Sequence, residues 1–180
     1  MSSAARLRLL AATGAVTFIA SGIIQLLHTE GDPLSSAADY GIEATFAGGL
    51  LLTLAGFYAL HLRQERDLPA FGAWAFRIAA AGQGLLGIVA LATIMRGEDA
   101  LGPLFPVGVL AWAAGTVAYA AATAKVGVLP RWVAPLLAVG TLAGIALDPG
   151  GTIVVGTVWL AIAGSVLGER SALRPAGATV

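Results

Sequence analysis

Six long runs without a charged residue dominate this 180-residue sequence. A helix rises 1.5 Å per residue, so about 20 apolar residues cross the roughly 30 Å hydrocarbon core of a membrane. The runs are 16 to 21 residues long and cover residues 9–28, 44–62, 78–95, 104–124, 132–147 and 151–168. The sequence therefore predicts one all-α domain, a polytopic integral membrane bundle of about six transmembrane helices, with a short cytoplasmic tail at residues 169–180.

The composition agrees with a membrane protein and excludes other classes. Hydrophobic residues make up 58% of the chain and charged residues 11%, whereas soluble domains contain about 25% charged residues. The formal net charge is zero, and basic residues form no cluster typical of nucleic-acid binding. The chain has no cysteine, which excludes disulfides and thiolate metal sites. We expect membrane lipids as partners, and no nucleic acid, metal or cofactor.

Basic residues indicate the orientation of the spans, because short cytoplasmic segments are rich in Lys and Arg. With both termini inside, nine of the ten basic residues are cytoplasmic and only Arg96 is outside. The apolar run after Arg8 is longer than a usual signal core, so we expect it to be retained as a span. The abundance of Ala, Gly and Arg is typical of a GC-rich bacterial gene. These features predict a multi-pass protein of a bacterial inner membrane with both termini cytoplasmic.

The first run carries a row of polar residues at helical spacing. Steps of four, four, four and three residues keep the row within about 120° of the helix circumference. A polar face is unfavourable in lipid unless it turns toward other helices or a cavity. The row consists of Thr13, Thr17, Ser21, Gln25 and His28. It predicts an inward-facing polar face that opens toward the outer side.

Candidate chemistry lies at the outer ends of the first two helices. In an antiparallel hairpin, His28, Asp39 and Glu43 lie at similar depth, and a histidine beside a carboxylate can act as a general base. These three residues are the catalytic candidates. The alternative is a polar collar that only forms hydrogen bonds near the lipid headgroups. His28 and His61 fall at opposite ends of their helices, which excludes a haem held by both within one protomer.

The connection from Thr29 to Ile42 is the longest on the outer side. Asp32 followed by Pro33 is typical of a helix start, and Gly41 of a helix stop. The pattern predicts a short helix from Pro33 to Tyr40, which either lies on the surface or covers an outward-facing pocket.

Neutral polar residues within the spans form a candidate ligand-binding or transport path. Gln83 is too deep to be interfacial, so we expect its amide to form hydrogen bonds across helices. The candidate path-lining residues are Thr17, Ser21, Gln25, His28, Gln83, Thr116 and Tyr119.

Small residues recur at spacings that let helix backbones approach closely. The pairs are Gly14 and Gly22, Gly49 and Gly56, Gly108 and Gly115, Gly140 and Gly144, and Gly164 and Gly168. We expect packing seams within the chain; contacts with a second copy or another membrane protein are the alternative. Similar Ala-Gly tracts in the even helices suggest three parallel hairpin repeats, or a chance likeness of hydrophobic helices.

Three functions are compatible with the sequence, which contains no complete catalytic signature. We favour a noncatalytic accessory or apolar-ligand-binding bundle. A small-molecule transporter with a neutral polar path is the second interpretation. A membrane enzyme that acts on a lipid or isoprenoid at the outer face, through His28, Asp39 and Glu43, is the third.

Overall fold

The six apolar runs correspond to six helices in the computed structural model of the chain. The structure describes residues 2–28, 31, 33–99, 101–147 and 149–167, and these residues form helices and connections but no strand. The helices are α1 (Ser3–Leu27), α2 (Ala37–Gln64), α3 (Ala70–Arg96), α4 (Phe105–Val126), α5 (Val133–Ala146) and α6 (Gly151–Ser165). A short 3-10 turn (Gly102–Leu104) precedes α4. The predicted all-α bundle is confirmed; Gly168 and the tail lie outside the described residues.

The helices close into a ring. Each helix packs against its neighbours in chain order, and α1 also packs against α6. The α1–α2 and α3–α4 pairs have the most extensive contacts, and α5 packs less extensively on both of its neighbours. Gly14 lies against Thr53, and Gly49 lies against Phe18, so α1 and α2 run antiparallel. The pairs are hairpins, as expected, while their origin by repeat duplication stays a prediction.

Glycine permits the closest of these helix contacts. A Cβ atom on Gly115 would collide with the backbone nitrogen of Ala79, and one on Gly82 with that of Trp112. The expected seams are confirmed at Gly14, Gly22, Gly49, Gly56, Gly108, Gly115, Gly140 and Gly144. The expectation is wrong for Gly164, because no described atom of another helix lies within 4 Å of the position that a Cβ atom would occupy there. Gly164 is exposed because α6 packs through the opposite stripe, which includes Val155, Trp159 and Ile162.

The helices fall into two length classes. The segments Ser3–Leu27, Ala37–Gln64, Ala70–Arg96 and Gly102–Val126 are long and apolar enough to span a membrane. In contrast, α5 has 14 residues and α6 has 15, which is about 21 Å and 22 Å of helix against roughly 30 Å of hydrocarbon. Four helices therefore meet the length requirement, and a crossing by the α5–α6 hairpin stays a prediction.

The short hairpin is aligned with one end of the ring. Arg8 Nε donates a hydrogen bond of 3.1 Å to the carbonyl of Ala163, and Arg63 donates to that of Val166. These guanidinium groups satisfy carbonyls at the end of α6 that have no partner within the helix. We call this end of the ring the Arg8 end and the opposite one, with His28 and Asp39, the His28 end. The missing length of α5 and α6 is therefore at the His28 end.

Aromatic side chains fill the middle of the ring toward the Arg8 end. The Phe57 ring centroid lies 5.1 Å from that of Phe76, 4.9 Å from Tyr119 and 6.2 Å from Trp159. These four residues, the aromatic cluster, come from α2, α3, α4 and α6. Next to the cluster, Gln64 Nε2 donates to the Tyr119 hydroxyl at 2.7 Å. The cluster therefore joins four helices through one set of contacts.

We predict that Gly115→Ala destabilises the bundle by about 1–3 kcal/mol, the usual cost of overpacking, because the added methyl group meets the backbone of α3. Gly84→Ala is the matched control, since no described atom of another helix lies within 4 Å of the position of a Cβ at Gly84. Thermal unfolding in detergent, followed by circular dichroism, measures both variants. Equal stability of the two would contradict the close α3–α4 approach.

Candidate functional site

The helix ring encloses a cavity at its His28 end. Its volume is about 290 Å³, which is at the lower limit of small-molecule sites, roughly 300 to 1,000 Å³. Every helix contributes to the wall of this central cavity, including Phe18, Phe46, Leu86, Trp112, Ile145 and Val155. Among the described lining residues, the polar side chains are those of Gln25, Glu43 and Thr152. The wall is therefore suited to an apolar group with a few hydrogen-bonding contacts near it.

The aromatic cluster lies between the central cavity and the Arg8 end. On α4, the wall residue Trp112 is followed two turns later by Tyr119 of the cluster. On α6, the wall residue Val155 is followed one turn later by Trp159. Phe57 and Tyr119 are almost completely buried. The ring is therefore filled on the side of the cavity that faces the Arg8 end.

The wall of the central cavity is lower on one side because the α5–α6 hairpin is short. A Cβ atom on Gly22 would contact Thr152 and Ile153, so the start of α6 is level with Gly22 of α1. From there, α1 continues to Leu27, about one and a half turns farther. Leu147 and Pro149, from the turn between α5 and α6, themselves line the cavity. In the described part of the chain, the wall is therefore lowest at the α5–α6 hairpin.

A second cavity of about 330 Å³ adjoins the first. The two share Glu43, Phe46 and Phe105 in their walls. Its other described lining residues come from α3 and from the segments that follow α1 and α3. They include Thr93 and Asp99. We call it the acidic cavity because both charged side chains in its described wall are carboxylates.

Asp39 holds the segment between α1 and α2, which we call the strap (Gly31 and residues 33–36). Its carboxylate accepts hydrogen bonds from the backbone N–H groups of Gly31 at 3.1 Å, Ser35 at 2.9 Å and Ser36 at 2.7 Å. The Ser36 hydroxyl in turn accepts from Asp39 N, which completes a capping box at the start of α2. The strap also reaches α3, because Leu34 N donates to the carbonyl of Gly97 at 2.7 Å.

The structure of the strap differs from the helix predicted for this segment. A helix from Pro33 to Tyr40 was expected, but α2 begins at Ala37 and continues through Gly41. The capping box sets this start, since it satisfies two backbone N–H groups that the helix leaves without partners. Asp32 lies outside the described residues.

The contacts of His28 are those of a residue that helps to hold the strap in place. Its Nε2 atom lies 2.8 Å from Asp39 Oδ1 and 3.2 Å from Ser36 Oγ. A relay from serine through histidine to aspartate uses both ring nitrogens, whereas here one nitrogen faces both partners. The structure brings His28 and Asp39 together, as expected, and places Glu43 in the walls of both cavities. Their catalytic role stays a prediction.

The charge state of Asp39 follows from the same contacts. Asp39 lies in the first turn of α2, ahead of the uncharged run at residues 44–62. The backbone hydrogen bond from Ser35 contributes most to lowering the pKa of its carboxyl far below the ordinary value, followed by His28 and Ser36. These bonds stabilise the ionised form and outweigh the effect of burial. A carboxylate stabilised in this way is a weak base.

The other candidate residues on α1 have different surroundings. Gln25 lines the central cavity. Ser21 is buried and donates to the carbonyl of Ile42 at 3.3 Å, which joins α1 to α2. Thr17 donates to the carbonyl of Gly14 within its own helix. Thr13 is exposed, so the expected inward face is wrong for the start of the row. Steps of four residues advance by 400°, about 40° beyond one turn, and the row drifts away from the buried stripe.

The deeper candidates form contacts between helices. Gln83 Nε2 donates to the carbonyl of Leu50 at 2.7 Å and to Thr53 Oγ1 at 2.9 Å, which confirms the expected cross-helix hydrogen bonds. Tyr119 belongs to the aromatic cluster, and Thr116 is buried one turn before it on α4. Sequence reasoning missed the aromatic wall residues Phe46, Phe105 and Trp112, because apolar residues in a span give the same signal in a cavity wall and in a core.

The chain matches no protein-family model, and no curated protein or solved structure is significantly similar to it. The geometry of the two cavities and the strap is therefore the basis for inferring a function.

We predict that Asp39→Ala releases the strap, because three backbone N–H groups lose their common acceptor. Hydrogen exchange at Ser35 and Ser36 should accelerate by about tenfold or more. Asp67→Ala, which removes an exposed carboxylate at the Arg8 end, is the control. Because folding lowers the pKa of Asp39, its carboxylate stabilises the folded strap at pH values above the unfolded pKa of about 3.9. This stabilisation is lost in stronger acid. Protection of these amides against exchange in the unsubstituted protein should therefore be equal at about pH 7 and pH 5. Unchanged exchange in Asp39→Ala would contradict the conclusion that Asp39 holds the strap.

Proposed function

We propose that this chain is a noncatalytic membrane protein that binds the apolar part of a lipid-like ligand in its central cavity, on the outer side of a bacterial inner membrane. The observation that carries the proposal is one cavity lined by all six helices, with the aromatic cluster filling the ring beyond it toward the Arg8 end. Its low wall at the α5–α6 hairpin faces lipid, which allows an apolar chain to enter sideways.

The wall composition supports an apolar ligand. Phe18, Phe46 and Trp112 surround a volume that suits one hydrocarbon chain and is too small for a whole diacyl lipid. Water in such a space has few polar partners, so its replacement by hydrocarbon is favourable. Gln25 and Thr152 can form hydrogen bonds with a polar group close to the chain.

The hydrogen bonds of the deeper polar residues support binding over transport. Transport would require a passage beyond the aromatic cluster, and three of the residues suggested for a path, Ser21, Gln83 and Tyr119, have roles in helix contacts. Ser21 and Gln83 each bond to a backbone carbonyl of α2, and Tyr119 accepts from Gln64. A transporter and a membrane enzyme remain the alternatives, and neither has an observation of its own in the structure.

We predict that Val109→Phe, which adds a ring to the central cavity wall, weakens ligand binding by about tenfold or more, because it removes the space for the chain. The probe is 10-bromodecanol, whose bromine quenches tryptophan on contact. The protein is a chain that keeps only Trp112, with Trp74, Trp132 and Trp159 changed to Phe, in phosphatidylcholine nanodiscs.

The matched control is Val107→Phe, the same substitution on the exposed, lipid-facing side of α4. Circular dichroism checks that each variant is folded. Quenching of Trp112 that is equal in both variants would contradict binding in the cavity, and an absence of quenching in the parent chain would remove the proposed function.

We predict that both termini and the Arg8 end lie in the cytoplasm, as the basic residues indicate. Since the chain has no cysteine, single substitutions can report topology with a membrane-impermeant maleimide. In intact cells, Glu98→Cys should react, while Arg66→Cys and Ser171→Cys should react only after lysis. Labelling of Ser171→Cys in intact cells would contradict an even number of crossings.

A further inference from the structure

We propose that the ligand is an amphipathic cation, with its apolar tail in the central cavity and its positively charged head in the acidic cavity. This proposal rests on the proposed function and adds the chemical class of the headgroup. It is carried by the juxtaposition of two cavities of different character in one protein.

The two cavities adjoin each other. Glu43, Phe46 and Phe105 belong to the walls of both, so the cavities meet at these three side chains. The central cavity provides mainly aromatic and aliphatic contacts, while the acidic cavity adds the buried Thr93 and the carboxylate of Asp99. A molecule with one apolar and one polar end would match both environments at once.

The charges of the acidic cavity favour a positive headgroup. Among the described lining residues, both charged side chains, Glu43 and Asp99, are acidic. Arg96 ends α3 only three residues before Asp99, yet it is not among the described lining residues. Two carboxylates in a partly enclosed space attract a cation more strongly than they would in open water, and they repel an anion.

Aromatic rings add to this preference. Phe46 and Phe105 line the place where the two cavities meet. The face of an aromatic ring attracts an ammonium group, and aromatic side chains are a common means of binding such headgroups. The combination of two phenyl rings and two carboxylates thus favours an ammonium group over a hydroxyl and over a carboxylate.

The strap forms part of the wall beside these carboxylates. Gly31 and Leu34 of the strap line the acidic cavity, and the strap is fixed to α2 through Asp39 and to α3 through Gly97.

The test compares three probes with the same tail and different heads: 10-bromodecylammonium, 10-bromodecanol and 10-bromodecanoate. Each is titrated into phosphatidylcholine nanodiscs that contain the chain with Trp112 as its only tryptophan. A second chain that keeps only Trp74, which is 61% exposed, reports how much probe is dissolved in the bilayer. After this correction, the ammonium probe should bind about tenfold more tightly than the alcohol, and the carboxylate most weakly.

Variants that remove one charge test which residues cause the preference for the ammonium probe. Asp99→Asn and Glu43→Gln should each reduce the preference for ammonium over alcohol by about threefold or more, while leaving the alcohol unchanged. Glu98→Gln, which removes a charge from an exposed residue outside the described cavity walls, is the matched control and should retain the full preference.

The outcomes separate this inference from the proposed function. Equal binding of the three probes, or a preference unchanged in both Asp99→Asn and Glu43→Gln, overturns the cationic headgroup and leaves apolar binding in place. An absence of Trp112 quenching by all three probes overturns both proposals. Ammonium preference that is lost in the two cavity variants and kept in Glu98→Gln supports the inference.

Discussion

Close approach of helix backbones is the constraint on which the rest of this structure depends. Lipid is as apolar as the helix surfaces, so burial of apolar side chains gives little drive for helices to associate within a membrane. Association then requires many short contacts between well-matched surfaces. Gly82 and Gly115 provide them between α3 and α4, and Gly14 and Gly49 between α1 and α2. Gly22 and Gly156 let α1 meet α6, which closes the ring.

The same ring determines where the protein is filled and where it is empty. Toward the Arg8 end, Phe57, Tyr119 and Trp159 occupy the centre. Toward the His28 end, α5 and α6 present Gly144 and Gly151, and the hairpin itself is shorter than the other helices. Small side chains and missing helix length leave space at the same level. The cavity is therefore a consequence of the helix lengths and the glycine positions together.

The extent to which the sequence predicts this structure depends on whether a feature is local. Helix positions follow from uncharged runs, and α5 was expected at residues 132–147 and found at Val133–Ala146. The start of α2 was misplaced because two local signals compete: Asp32 with Pro33 resembles a helix start, but Ser36 with Asp39 forms the actual capping box. Cavities are not local, because they depend on which apolar side chains from six helices meet and which leave a gap.

The acidic residues at the His28 end illustrate how similar side chains acquire different roles. Asp39 is 1% exposed, and its carboxylate receives three backbone N–H groups and His28, so its charge is compensated by contacts that fix the strap. Asp99 is exposed and faces the acidic cavity beneath that strap. A carboxylate whose hydrogen bonds maintain the fold is unavailable to a ligand, whereas one in a cavity wall influences which ligand can enter. His28 and Asp39, which the sequence analysis paired, therefore hold the strap in place, while ligand selection by the neighbouring Glu43 and Asp99 is the proposal.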